Sequence, residues 1–278
     1  MPSLIKVTKL NGEKEQFSVN KIINSAKRAG ATDYLAKKIA RKIEKEVYQN
    51  IKTSEIFDSI KSELKKEDAY VALRFSLKDA MKKLGPAGFC FEEFVRNILS
   101  NYGMKVNINK VVNGVCSGYE LDFLAEKENL IYLGECKYRN DSKDRIDINV
   151  CLKSYAILDD IKEANRFGDK HVNFLIVTNS KFTTEAIKYA NCKKIELLGW
   201  NYPKNGGLES LIESKKLYPI TILPSFKGYL MEVFKKENLM IVDRVFDIDI
   251  EKFSKRYNIP KRQLEDLRRE AGILLGKK

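Results

Sequence analysis

Histidine is almost missing from this chain. His171 stands alone among 278 residues, which excludes a histidine-rich metal site and any chemistry that needs two imidazoles. Cysteine is sparse and unpaired in sequence: Cys90, Cys116, Cys136, Cys151 and Cys192 contain no CxxC spacing. Most have apolar neighbours, so they read as buried free thiols and not as a disulfide framework or a zinc site. No apolar run approaches the roughly 18 residues of a membrane span. The opening stretch, MPSLIKVTKLNGEKEQF, has no signal-peptide hydrophobic region, so a cytoplasmic protein without a membrane partner is expected. Internal repeats, low-complexity tracts and heptad arrays are also missing.

What the chain does have is charge, unevenly spread. Its net charge of +13 divides into +8 over residues 1–86, 0 over 87–200 and +5 over 201–278. Basic flanks around a neutral centre favour polyanionic partners, nucleic acid or nucleotide phosphates, although lysine-rich helices also produce such a balance merely by solvating their outer faces. Two breaks, LGPAG at 84–88 and NYPKNGG at 201–207, punctuate the sequence. They suggest three parts: residues 1–85, 86–203 and 204–278.

The first part opens with strand-type residues on both sides of the turn dipeptide Asn11-Gly12, which predicts a hairpin. Amphipathic spacing then predicts helices over Val19 to Ala29, Asp33 to Gln49, Ser54 to Lys66 and Ala69 to Leu84. The second part begins with the helical FCFEEFVRNILSNYG. Strand-like runs follow at 104–112, 118–125 and 130–138, then a helix near 147–165, a buried strand HVNFLIVTN, a helix TTEAIKYANC and a last strand KIELLGW. Such alternation predicts an α/β arrangement, α+β over the whole chain, with helices around a central mixed sheet. The third part reads as short helices joined by tight turns.

Chemistry concentrates in the centre. In YLGECKYRN, an apolar strand ends with Glu135 and Lys137 one residue apart, so both side chains share a face while Cys136 points the other way. Thirteen residues upstream, Asp122 lies in GYELDFLA with Glu120 on its own face. If the two strands are antiparallel neighbours joined around Lys127 to Asn129, Asp122 and Glu135 converge at one end of the sheet. Two carboxylates make a hard-oxygen site suited to Mg²⁺, which takes few protein ligands and keeps its waters. Lys137 beside them can neutralise charge developing on a phosphate. In the preceding helix, Phe91, Phe94, Val95, Ile98, Leu99 and Tyr102 form one apolar stripe. Glu92 falls at the edge of that stripe and Glu93 on the opposite, solvent side, so Glu92 is the acid expected to face the sheet.

GFCFEEFVRNIL, then ELD, then ECK resembles the PD-(D/E)xK nuclease superfamily, in its Mrr-like restriction endonuclease branch. The likeness runs over roughly residues 86–200, where Thr178-Asn179, Phe182 and Ala186 fit the family's later course. It implies Asp122 and Glu135 as metal ligands for Mg²⁺ or Mn²⁺, Lys137 as the catalytic lysine and Glu92 as an assisting acid. Many Mrr-like members carry a glutamine on the next helix. Here that helix offers Asn149, Lys153 and Tyr155, which leaves the auxiliary role unassigned.

The first part resembles the ATP cone of ribonucleotide reductases and their regulator, over nearly all of residues 3–84. The matching positions include Val7, Lys9, Gly12, Phe17, Lys21, Ile22, Lys52 and Arg74. Cones bind ATP or dATP as regulators, and the chain has no P-loop GxxxxGK[ST]. The resemblance implies Val7, Lys9, Lys21, Lys52 and Arg74 around the nucleotide. Where the family has a Lys-Arg pair, this sequence has Lys9-Leu10, one cationic phosphate contact fewer. A degenerate cone kept for dimerisation or DNA contact is the alternative.

In the third part, RYNIPKRQLEDLRREAGILLG loosely resembles a helix-hairpin-helix module, with Lys261, Arg262, Arg268 and Arg269 available to phosphates. A helical cap or oligomerisation piece fits the same residues. Trp200 and Tyr202 beside Pro203 read as packing at a junction, and His171, at the head of a buried strand, as structural. Together these readings imply a Mg²⁺-dependent DNA endonuclease, regulated or oligomerised by ATP or dATP and acting as a homodimer or larger assembly, with defence against foreign DNA as the expected role. The alternatives are a DNA-repair nuclease, and a non-catalytic nucleotide-sensing protein that binds nucleic acid on a nuclease scaffold.

Overall fold

The computed structural model describes residues 5–9, 12–85, 89–140 and 144–277. Leu10 and Asn11 of the expected hairpin turn, and Pro86 to Gly88 of the first break, lie outside the described residues. The chain divides into two compact units, Met1–Asp79 with Arg269–Lys278, and Ala80–Arg268.

In the first unit, β1 (Lys6–Thr8) pairs antiparallel with β2 (Lys14–Gln16). Gly12 holds φ +81°, a left-handed turn conformation that glycine enters without a Cβ clash. Helices α1 (Val19–Arg28), α2 (Asp33–Glu46), α3 (Thr53–Glu67), α4 (Ala69–Phe75) and α5 follow, the last of them (Leu77–Lys82) running into the second unit. The Thr32 hydroxyl accepts from Leu35 N at 3.2 Å to cap α2. Val7, Ile22, Ala26, Ile39, Ile43, Ile60, Leu64 and Val71 form the common core. The single helix expected over 69–84 is two. At Ser76 the hydroxyl donates back to the Ala72 carbonyl at 3.1 Å, and the backbone closes a tight turn through Ser76 N to Leu73 O.

The second unit is built on a five-stranded mixed sheet in the order β3-β4-β5-β7-β9. These are β3 (Lys105–Asn113), β4 (Gly118–Lys127), β5 (Leu130–Lys137), β7 (His171–Thr178) and β9 (Glu196–Leu198). β3, β4 and β5 run antiparallel in succession, and β7 and β9 extend the sheet in parallel to β5. Helix α6 (Phe89–Asn101) precedes the sheet, α7 (Ile148–Glu163) connects β5 to β7, and α8 (Thr184–Lys193) connects β7 to β9. A two-residue pair, β6 (Arg145–Ile146) with β8 (Lys181–Phe182), was not anticipated. Ile131, Leu133, Val172, Phe174 and Ile176 pack with Ile157, Leu158 and Ile161 of α7 and Ala186 and Ala190 of α8. Neighbouring residues such as Phe123, Ala125 and Leu175 point to the other face, and α6 packs against β3, β4 and β5.

The remainder is helical: α9 (Leu208–Lys215), α10 (Met231–Lys236), α11 (Ile250–Tyr257) and α12 (Lys261–Leu275), with 3₁₀ turns between. This segment contacts α6 through α10, which overturns one expectation. Glu93 is 5% exposed, not solvated, because the C-terminal segment covers that side of α6. Burial is made tolerable by Arg96, whose Nε donates to Glu93 Oε1 at 2.9 Å. The thiols divide: Cys90, Cys136 and Cys151 are buried, while Cys116 and Cys192 are exposed. Among the described residues, no helix is long and apolar enough to cross a membrane.

Candidate active site

The acidic site forms where β4 and β5 part. Glu128 in the left-handed region makes the tight turn between them, and the ladder runs from Lys127↔Leu130 to Phe123↔Gly134. Beyond that point, Asp122 Oδ2 accepts the Cys136 backbone N–H at 2.6 Å. A side chain thus occupies the place a β4 carbonyl would take, and it fixes Asp122 against the end of β5. On β5 itself, Lys137 and Glu135 are ion-paired on one face. Gly134 is needed here. A Cβ at this position would stand 2.2 Å from the ring of Phe123, which lies across the strand beside Asp122.

Glu92 comes in from α6, as its place on the stripe predicts. Its carboxyl is pushed up to about 7, first by burial and then by the negative charges of Asp122 and Glu135, against the pull of Lys137 and Lys235. Asp122 also lies above the usual carboxylate range, through burial and Glu135; the Cys136 N–H, Lys137 and Lys153 oppose that rise. Burial and the same three carboxylates drive the Cys136 thiol far above its ordinary value, so it is an inert packing group. The four residues named from sequence are therefore brought together electrostatically. Two cations at the margins carry no role in the sequence reading: Lys153 of α7, which acts on Asp122, and Lys235 of α10, which acts on Glu92. Lys235 is ion-paired with Glu232 one turn back on α10 at 2.9 Å, and only long-range packing brings its charge to bear on Glu92, some 140 residues upstream.

In the first unit, Lys9 and Lys21 meet on one atom, Glu15 Oε2, at 2.9 and 3.0 Å. Glu15 carried no expectation, though its alternation with Lys9 across a hairpin is a legible signal. The two lysines hold its carboxyl below the usual range, Lys9 most of all. Val7 is buried in β1, and Thr8 bridges to Lys52. Arg74 sits 5.4 Å over the Tyr70 ring, donates to its hydroxyl at 3.3 Å, and covers Gly30, where a Cβ would stand 2.7 Å from the guanidinium.

The remaining expectations resolve simply. His171 is exposed at the head of β7, and its backbone N–H bonds to the Asn129 carbonyl. Trp200 is buried, and Tyr202 packs edge-on to Phe182 at 6.0 Å. Between α11 and α12 the turn is Asn258-Ile259-Pro260, with Asn258 left-handed. Lys261 there is ion-paired with Glu251, and Arg268 donates inward to the Ile248 carbonyl.

The ATP cone domain family matches residues 5–79. An uncharacterized protein of Archaeoglobus fulgidus is 39% identical over 142 residues, covering 50% of this chain and 76% of the relative. The crystal structure of a protein of unknown function, AF1548, is similar with a TM-score of 0.58 at 30% identity, over 67% of this chain and 97% of that one. The small subunit of a heterodimeric restriction endonuclease aligns with a TM-score of 0.29 at 14% identity, over 73% and 99%, a likeness too slight to argue from. The chain begins with an ATP cone domain and belongs to the family of the uncharacterized Archaeoglobus fulgidus protein.

Proposed function

We propose that this protein is a metal-dependent endonuclease that hydrolyses DNA phosphodiester bonds and is tuned by an adenine nucleotide on its cone. The observation that carries the reading is the gathering of Asp122, Glu135 and Glu92 around Lys137 at the end of a buried strand. Burial first, and the charges of Asp122 and Glu135 after it, raise Glu92 to about 7, and a bound cation would relieve the repulsion among the three acids. Among the described residues no group of three or more His, Cys, Asp or Glu side chains is placed to hold a metal ion, but Mg²⁺ does not need three protein ligands. It binds through one or two carboxylates, water and substrate phosphate, and Mn²⁺ favours the same oxygen donors. Asp122 and Glu135 fit that requirement. When bound, the ion would polarise a phosphoryl oxygen and make its water more acidic.

The chain's own residues do the rest. Cys136 N–H keeps Asp122 from rotating away, and the carboxylate stays aimed at the end of the sheet. Lys137 leaves Glu135 for the substrate phosphate and offsets the charge that develops on it in a site sheltered from water. Glu92 completes the acidic wall from α6 and can hold a water by hydrogen bond. The basic flanks favour DNA as the polyanion. Cutting both strands takes two such sites, so a homodimer or larger assembly is expected. Lys9 and Lys21 are the phosphate contacts for ATP or dATP, with Glu15 holding them in position. Glu135→Ala tests the assignment: loss of cleavage with DNA binding retained supports the enzyme, whereas unchanged cleavage sinks it.

A further inference from the structure

The face of α6 that turns away from the sheet is polar, and yet the C-terminal segment covers it. Glu93 and Asn97 are buried there. Between this face and α11 the chain leaves a cleft of about 540 Å³, within the range that holds a small ligand. An interface meant only to pack would be apolar. This one presents Arg244, Lys252 and Arg256, with the amides of Asn97 and Asn101 beside them and Arg96, paired to Glu93, at its wall. Asn97 spends its amide nitrogen on the Glu93 carbonyl at 2.8 Å, and Asn101 spends its own on the Asn97 carbonyl at 2.9 Å. Their amide oxygens remain as acceptors. Phe253 also lines the cleft, fixed by Phe234 at 5.9 Å and Tyr257 at 4.8 Å.

We infer that this cleft is a second binding site, separate from the acidic one, for a phosphate-bearing nucleotide unit. Planar guanidinium forks suit phosphate oxygens, amide oxygens suit the amino groups of a base, and an aromatic face gives a base something to stack on. Acids are present as well: Arg96 is committed to Glu93 and Asn238, but the other three cations are held loosely. Arg244 is 3.3 Å from Asp247, Lys252 is 3.3 Å from Asp249, and Arg256 is 3.7 Å from Glu237. The three cation side chains are 54%, 88% and 65% exposed. Exposed pairs of this kind contribute about 0–1 kcal/mol, so a phosphate can displace them. Asp249 has a separate task, accepting from Lys252 N at 3.1 Å to cap α11.

The phosphate can belong to a DNA strand or to a free nucleotide, and the test separates the two. The full-length chain carrying Lys137→Ala, which cannot complete cleavage if the proposed function holds, is the parent, so binding is read whether or not the nuclease reading survives. Arg244→Ala/Arg256→Ala is added, and Lys188→Ala/Lys204→Ala serves as a charge-matched control on exposed lysines. Thermal melts check that each variant folds. Fluorescence anisotropy measures a labelled 12-nucleotide single strand at several salt concentrations, and calorimetry measures thymidine monophosphate, which avoids an adenine site. The expected result is at least a tenfold loss of oligonucleotide affinity in the arginine variant alone. The salt slope should become shallower by about 1.4, two contacts at about 0.7 each. Loss confined to thymidine monophosphate also supports the site and identifies its source as a free nucleotide. If the arginine variant binds both probes like its parent, or the control falls equally, the inference is overturned.

Discussion

Gly134→Ala is the smallest change that strikes the site's scaffold. The added Cβ would lie 2.2, 2.2 and 2.4 Å from three ring carbons of Phe123, where ordinary contact begins at 3.4 Å. The ring must therefore retreat by about 1.2 Å, yet Phe123 is fully buried and its neighbours close on every side. Overpacking of that kind costs about 1–3 kcal/mol. For a unit the size of Ala80–Arg268, each kcal/mol lowers the melting temperature by about 2–4 °C, so a fall of about 2–12 °C is expected. Trp200, the chain's one tryptophan, is buried in this same unit, so its fluorescence reports this melt and not that of the cone. Phe123→Leu removes part of the ring that the methyl strikes. The double variant should then be less destabilised than the sum of the singles by at least about 0.5 kcal/mol. Cleavage by Gly134→Ala should fall further than its stability does, because Phe123 adjoins Asp122 and Gly134 adjoins Glu135. A Gly134→Ala protein that melts with its parent, or a strictly additive double variant, would refute the packing argument.

Other consequences can be measured separately. Asp160 on α7 accepts Cys116 N at 2.9 Å and the Tyr119 hydroxyl at 2.7 Å, which holds its carboxyl below the usual range. A depressed folded-state value means that this stabilisation is complete above the unfolded carboxylate range, near pH 4, and is lost as pH falls through the folded value. The melting temperature of the parent should exceed that of Asp160→Asn at neutral pH, and the gap should close below about pH 4. Tyr132 is buried and donates to Glu196 Oε1 at 2.6 Å, so Tyr132→Phe should cost about 1.5–3 kcal/mol in denaturant unfolding. Lys9→Ala and Lys21→Ala should each weaken ATP binding about tenfold by calorimetry, the scale of one charge-assisted hydrogen bond. Lys153→Ala should raise KM for DNA while leaving kcat nearly unchanged, as expected of a phosphate contact equally strong in the ground and transition states.

The sheet and the acidic site were legible because each is written in local sequence. Period two in GYELDFLA and the apolar run into Glu135 define strands, and the turn at Glu128-Asn129 sets a register that carries Asp122 to Cys136. The stripe on α6 placed Glu92 for the same reason. Glu93 was misplaced because helical periodicity describes one covered face, and the second cover comes from a segment about 140 residues away; Arg96 reaches Asn238 across that separation. Ser76 looked like one more helical residue, since nothing nearby signals that its hydroxyl bonds back to Ala72. Two-residue strands such as β6 and β8 are too short for any period to show. Lys235 and the polar cleft belong to the same class as Glu93, being products of tertiary contact.

The central claim is metal-dependent cleavage at the Asp122, Glu135 and Lys137 cluster. Supercoiled plasmid and single-stranded DNA should be incubated with the full-length protein and Mg²⁺ or Mn²⁺, with and without ATP and dATP, beside Lys137→Ala. The account predicts nicking or linearisation that requires the metal, changes with nucleotide, and disappears in Lys137→Ala. Cleavage that persists in Lys137→Ala, or DNA binding by the wild type without cleavage under any of these conditions, would contradict it.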